Sequence, residues 1–174
     1  MRKTGKVLTH FGKNKTYFWS RTLQLLTILL VLLFASKVFS QHRIFELDSL
    51  KMLESEFKDK PFLLLLWSTE CPPCRDELKL VKSISTDYPD FNFLLLSTDT
   101  LAQVQKIDGI LASNELSTHS SWLFSKKNSI KLRYAVDPNW YGELPRSYFY
   151  NEEHQRKGIS GKLSKELIVS WLEM

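Results

Sequence analysis

Two cysteines occur in the 174-residue chain, Cys71 and Cys74, set two residues apart in Trp67-Ser68-Thr69-Glu70-Cys71-Pro72-Pro73-Cys74-Arg75. Thiols at this spacing can hold two electrons reversibly: as a dithiol the pair reduces a disulfide, and as a disulfide it oxidises a dithiol. The stretch follows an apolar run, Phe62 to Trp67, and precedes a helix-like segment from Asp76 to Asp87. A thiol where a strand ends and a helix opens faces unpaired N–H groups and the positive end of the helix dipole, which favour its thiolate. Cys71 is therefore expected to attack, and Cys74, one turn along, to resolve the mixed disulfide. Three other chemistries use the same pair. A zinc site needs about four Cys or His ligands, whereas His10, His42, His119 and His154 show no ligand-like spacing. A structural disulfide over so short a loop constrains the unfolded chain little. A Cu(I) site with two thiolate ligands remains open, without a Met-rich or third-ligand pattern to complete it. Neither a metal nor another cofactor is expected, because the electrons reside in the sulfurs.

The elements around the pair set its position. Phe62-Leu63-Leu64-Leu65-Leu66-Trp67 is apolar on both faces, as a central strand covered on two sides should be. Phe91 to Ser97 is a second strand after the Cys helix, giving a strand–helix–strand unit with a right-handed crossover expected. Upstream, Arg43 to Leu47 has the makings of a short strand, and Asp48-Ser49 caps a helix through Leu50, Leu53 and Phe57. Downstream, Asp99-Thr100 caps a helix through Leu101, Val104, Ile107 and Leu111, and Ser120 to Phe124 reads as a strand. Lys126 to Tyr134 is ambiguous: Ile130, Leu132 and Tyr134 alternate like a strand, while the polar residues allow a short helix. Arg146 to Tyr150 and Gln155 to Ser160 form a hairpin, and Ser164 to Glu173 is a terminal helix with Leu167, Ile168, Trp171 and Leu172 on its apolar side.

The net charge of +5 is unevenly placed. Residues 1–40 hold seven basic residues and no acidic one, which leaves 17 Lys and Arg against 19 Asp and Glu in residues 41–174, a net of −2. Nucleic acid is therefore a poor partner. The leader has the layout of an address: a basic opening to Arg21, an uncharged block from Leu23 to Ala35, then Ser36-Lys37 and a small-residue site at Val38-Phe39-Ser40. The block is nearer the roughly 7–15 residues of a signal h-region than the roughly 20 of a spanning helix. Tyr17, Phe18 and Trp19 would serve as an interfacial belt if residues 22–35 stayed in the membrane as an anchor. The expected organisation is a signal peptide or N-terminal anchor over 1–40 and one exported domain over 41–174, placed in the periplasm or another extracytoplasmic space. Thiols there are oxidised unless another protein reduces them.

The apolar strand ending in Trp67, the Cys-Pro-Pro-Cys motif, the second strand, and Gly142-Glu143-Leu144-Pro145 ahead of a hairpin and helix together resemble a thioredoxin-fold protein. More narrowly, the chain resembles the exported bacterial thiol-disulfide oxidoreductases of the TlpA, ResA and cytochrome c maturation type, over most of residues 43–174. The resemblance implies an α/β thioredoxin-like three-layer fold with a central mixed sheet of four to five strands flanked by helices. It implies reduction of disulfides in exported proteins, with a membrane or periplasmic redox partner resupplying electrons. A disulfide-forming oxidant of the same fold is the second reading, and a thioredoxin-fold copper chaperone or binding module the third. It also implies that Pro145 is cis and, with Leu144, shapes a substrate groove, and that Trp67 packs beneath the site.

Departures from the family pattern bear on redox poise. The buried acid that thioredoxins carry six residues before the first cysteine is replaced by Leu65, so Glu77 and Glu143 are the candidate proton carriers. Glu70 precedes Cys71 and disfavours its thiolate if it points inward. Pro72 and Pro73 withhold two amide donors from the sulfur. Glu70, Pro72 and Pro73 thus point to a reducing potential, nearer about −270 mV than about −120 mV.

Overall fold

The computed structural model describes residues 42–126 and 128–173; the expectations for the leader fall on residues 1–40 and lie outside them. Six strands and five α-helices follow in the order β1 (Arg43–Phe45), α1 (Ser49–Ser55), β2 (Phe62–Trp67), α2 (Pro72–Asp87), β3 (Phe93–Ser97), a 3-10 turn (Leu101–Gln103), α3 (Val104–Ser113), β4 (Ser121–Phe124), α4 (Ser129–Val136), β5 (Arg146–Tyr150), β6 (Arg156–Ser160) and α5 (Lys165–Leu172). The sheet order is β1-β4-β3-β2-β5-β6. β1, β4, β3 and β2 are parallel neighbours, and β5 and β6 are antiparallel. Six strands replace the expected four to five, because the three-residue β1 pairs fully with β4 at the sheet edge.

β2 is completely buried, and the alternation of its side chains divides the core in two. Leu63, Leu65 and Trp67 point into a layer filled from α2, α3 and α5 by Leu78, Val81, Ile84, Ile107, Leu111 and Ile168. Phe62, Leu64 and Leu66 point the other way, against Leu53 of α1 and Leu132 and Val136 of α4. This is the expected helix–sheet–helix sandwich. Burying each such side chain is worth about 1.5–3 kcal/mol, so an apolar run fits only between two helical layers.

The ambiguous stretch is helical from Ser129 onward. Asn128 caps α4, its side-chain oxygen accepting from the amides of Ile130 and Lys131. The four-residue spacing of Leu132 and Val136 puts both inward, whereas Ile130 and Tyr134 are left in solvent. No helix among the described residues is long and apolar enough to cross a membrane.

Candidate active site

β2 ends at Trp67, and the chain turns through Ser68–Glu70 into α2, with Cys71 as the N-cap. Cys71 and Cys74 are joined as a disulfide, with Cα atoms 5.3 Å apart. Cys74 is wholly buried and Cys71 retains 8% of its surface, so solvent reaches the pair through Cys71. The Cys74 amide is directed at the Cys71 sulfur, 3.3 Å away. Pro72 and Pro73 occupy the first two helical positions, where proline is tolerated because those amides lack intrahelical partners. Both donors are missing, so Cys74 N–H is the one amide of that turn bonded to the sulfur.

The loop carrying Cys71 is tied down from β3. The Thr69 amide donates to the Asp99 carboxylate at 2.6 Å, the Ser97 hydroxyl to the same oxygen at 2.8 Å, and the Thr98 amide to the Trp67 carbonyl at 2.9 Å. Asp99 reads in the sequence only as a helix cap. Of the Asp99-Thr100 pair expected to cap, Thr100 does so, through Ala102 and Gln103, while Asp99 crosses to Thr69. The signal available was an acid at the end of a strand with Ser97 two residues before it.

Glu77 lies three residues after Cys74 on the inward face of α2 and is 1% exposed. Its two carboxylate oxygens accept from the Leu163 amide at 3.1 and 3.2 Å. Burial, only partly offset by that bond and by Lys162, pushes its pKa up to about 7. Glu143, the other candidate, is half-exposed, accepts from the Ser160 hydroxyl, and is held below the usual carboxylate range mainly by that bond. Of the two, only Glu77 has its proton affinity raised toward neutrality. Glu70 points into solvent and pairs with Lys106, whose hydrogen bond holds its pKa low. The inward geometry under which it would disfavour the Cys71 thiolate is not adopted.

The Leu144–Pro145 peptide is cis, the geometry the resemblance implies. Arg146 pairs with Leu66, so Pro145 stands level with Trp67, where the Cys loop begins. Leu144 packs against the core cluster that includes Trp67, Cys71 and Cys74, and the Pro145 carbonyl accepts from the Gly161 amide at 2.9 Å. Trp67 is fully buried in that cluster. Among the described residues no group of His, Cys, Asp and Glu is arranged to hold a metal.

No protein-family model matches the chain, and no curated protein sequence does. Solved structures do match it. A thiol:disulfide interchange protein of the thioredoxin family from Chlorobium tepidum is 16% identical with a TM-score of 0.57, over 70% of this chain and 83% of that one. A secreted Mycobacterium tuberculosis disulfide oxidoreductase homologous to E. coli DsbE is 16% identical with a TM-score of 0.54, over 68% and 84%. A thioredoxin-related protein from Neisseria meningitidis is 19% identical with a TM-score of 0.54, over 65% and 82%. The chain has the thioredoxin fold, with its one cysteine pair capping the helix that follows the central strand β2.

Proposed function

We propose that the protein is a thiol–disulfide oxidoreductase that reduces disulfides of exported proteins. The observation that carries this reading is the half-hidden pair: Cys71 caps α2 at the surface, Cys74 is buried behind it, and one amide is aimed at the Cys71 sulfur. In the reduced state the Cys71 thiolate attacks one sulfur of a substrate disulfide, and the other substrate sulfur leaves as a thiolate that takes a proton. Cys74 then loses its proton and attacks Cys71. The substrate leaves as a dithiol, and the protein returns to the Cys71–Cys74 disulfide. Glu77, on the same buried face as Cys74 and with a proton affinity matched to neutral pH, accepts the Cys74 proton. Pro145 and Leu144 border the groove that receives the substrate chain. A membrane-bound or periplasmic reductant of the dithiol or thiol class supplies the two electrons for the next cycle.

The secreted oxidoreductase among the structural neighbours and the basic–apolar leader support an extracytoplasmic location, with residues 1–40 as signal peptide or anchor and 41–174 as the working domain. The missing amides at Pro72 and Pro73 leave the Cys71 thiolate weakly stabilised, which favours a reducing potential, nearer about −270 mV than about −120 mV. Equilibration against glutathione buffers measures it, and a value at the oxidising end refutes the direction in favour of a disulfide-forming oxidant. Cys71→Ser is expected to abolish reduction of a model disulfide, and Cys74→Ser to stall as a mixed disulfide. Faster alkylation of Cys74 than of Cys71 in the reduced protein would reverse the two roles.

A further inference from the structure

The segment joining β4 to β5 leaves and re-enters the sheet at the end that carries the cysteines. Leu123 of β4 pairs with Ser97, and Arg146 of β5 with Leu66, so residues 125–145 start and finish beside the Cys71 loop. Their charge departs from that of the domain. From Leu116 to Val136 there is no acidic residue, while Lys126, Lys127, Lys131 and Arg133 are basic, against a net of −2 for residues 41–174. Among the described residues, Lys126, Lys131 and Arg133 make no ion pair.

Large apolar side chains stand among these cations. Ile130 is 65% exposed, Tyr134 66% and Tyr141 89%. Ile130 and Tyr134, four residues apart, share one outward face of α4. The Arg133 guanidinium donates to the Tyr141 carbonyl at 2.7 Å, which fastens Tyr141 to the helix. Gly142, at φ +102°, leaves that guanidinium room that a Cβ 1.8 Å from its nitrogen would remove. The backbone at Tyr141 is therefore held in place, and its ring stands out into solvent.

The carboxylates on the rim of the site are already matched. Glu70 pairs with Lys106, Asp76 with Lys162 and Glu143 with Arg146, and Asp99 is turned onto Thr69 and Ser97. Arg75, exposed directly after Cys74, adds another cation outside any ion pair. Among the described residues, Arg75, Lys126, Lys131 and Arg133, the named groups left outside an ion pair, are all cations.

We propose that Lys126, Ile130, Lys131, Tyr134 and Tyr141 form the docking face for the protein substrate, and that this substrate carries acidic and apolar residues beside its reactive disulfide. The proposal rests on the oxidoreductase reading and specifies its substrate class. Unpaired lysines attract acidic residues over a Debye length, and exposed tyrosines supply anchoring contact area. α4 packs on the face of the sheet opposite the cysteine cluster, and Lys126 follows β4 at the sheet end that carries Cys71, so a protein docked here presents its disulfide by reaching over that end. A lipid surface on the same face would cover the entrance instead, so a protein partner is favoured.

Two peptides with the same disulfide loop, one flanked by Asp, Glu and Phe and the other by Lys and Phe, test this with the reduced full-length chain. The acidic peptide is expected to react about tenfold faster at low ionic strength, with the ratio falling toward one in about 1 M salt. Lys126→Glu with Lys131→Glu is expected to invert the ratio, which cancels any change in thiol reactivity. Equal rates in the unmodified protein, or a preference that survives the charge reversal, overturn the proposal. Cys→Ser versions of both peptides, followed by fluorescence anisotropy, read the face without redox chemistry. If even hydroxyethyl disulfide is not reduced, the oxidoreductase reading fails, while tighter binding of the acidic Ser peptide still supports the face and equal binding refutes it. Phosphatidylglycerol vesicles that displace the acidic peptide would reassign the face to a membrane and overturn the proposal.

Discussion

Glu77→Gln separates a proton-handling acid from a merely buried one. Glu77 titrates near 7 in the folded protein against an ordinary value of 4.5. A raised carboxylate pKa means that folding favours the protonated form. The penalty is absent below about pH 4.5, where both states are protonated, grows as the unfolded chain ionises, and is complete above about pH 7. With one pKa unit worth 1.36 kcal/mol, those two values make the folded protein about 2.5 kcal/mol less stable at pH 8 than at pH 5 through this residue alone. Glutamine keeps an acceptor for the Leu163 amide and removes the charge. Any cost of its unpaired NH2 group is the same at both pH values and cancels. Guanidinium unfolding of the disulfide form, variant against parent, should show Gln gaining about 2.5 kcal/mol more at pH 8 than at pH 5. An equal effect at both pH values would refute the raised affinity, and with it the role of Glu77 as acceptor of the Cys74 proton. If that role holds, Glu77→Gln also slows release of substrate from the mixed disulfide while leaving the first attack by Cys71 nearly intact.

Asp99→Ala leaves the buried Thr69 amide without its acceptor and should cost about 1–3 kcal/mol in urea unfolding, with Asp99→Asn recovering part of it. Glu70→Gln should leave the glutathione-equilibrated potential unchanged at physiological salt, because the carboxylate is exposed and paired with Lys106; an upward shift would show that its charge reaches Cys71. Fusion of residues 1–45 to a reporter active only outside the cytoplasm should give signal, and the size of the mature product distinguishes cleavage near Ser40 from retention as an anchor.

The central features were legible because their side chains obey simple periods. Phe62–Trp67 is apolar at every position and lies between two helical layers, and the two-residue Cys spacing fixes the pair to the first turn of α2. Lys126–Tyr134 was not legible, because Ile130 and Tyr134 imitate an alternating strand while both are exposed on α4. Asp99 looked like a local cap because sequence proximity favours Thr100 and Gln103, and its actual partner is thirty residues away. Glu77 was visible as a nearby acid, but its burial depends on Leu163, 86 positions along the chain.

The turn between β6 and α5 has one further implication. Gly161, at φ +89°, gives its amide to the Pro145 carbonyl, and two residues later Leu163 gives its own to Glu77. One short stretch of backbone thus sets both the position of the cis-proline and the environment of the buried acid. Its length is therefore a fixed ruler: one residue inserted between Gly161 and Leu163 would break the two registers together.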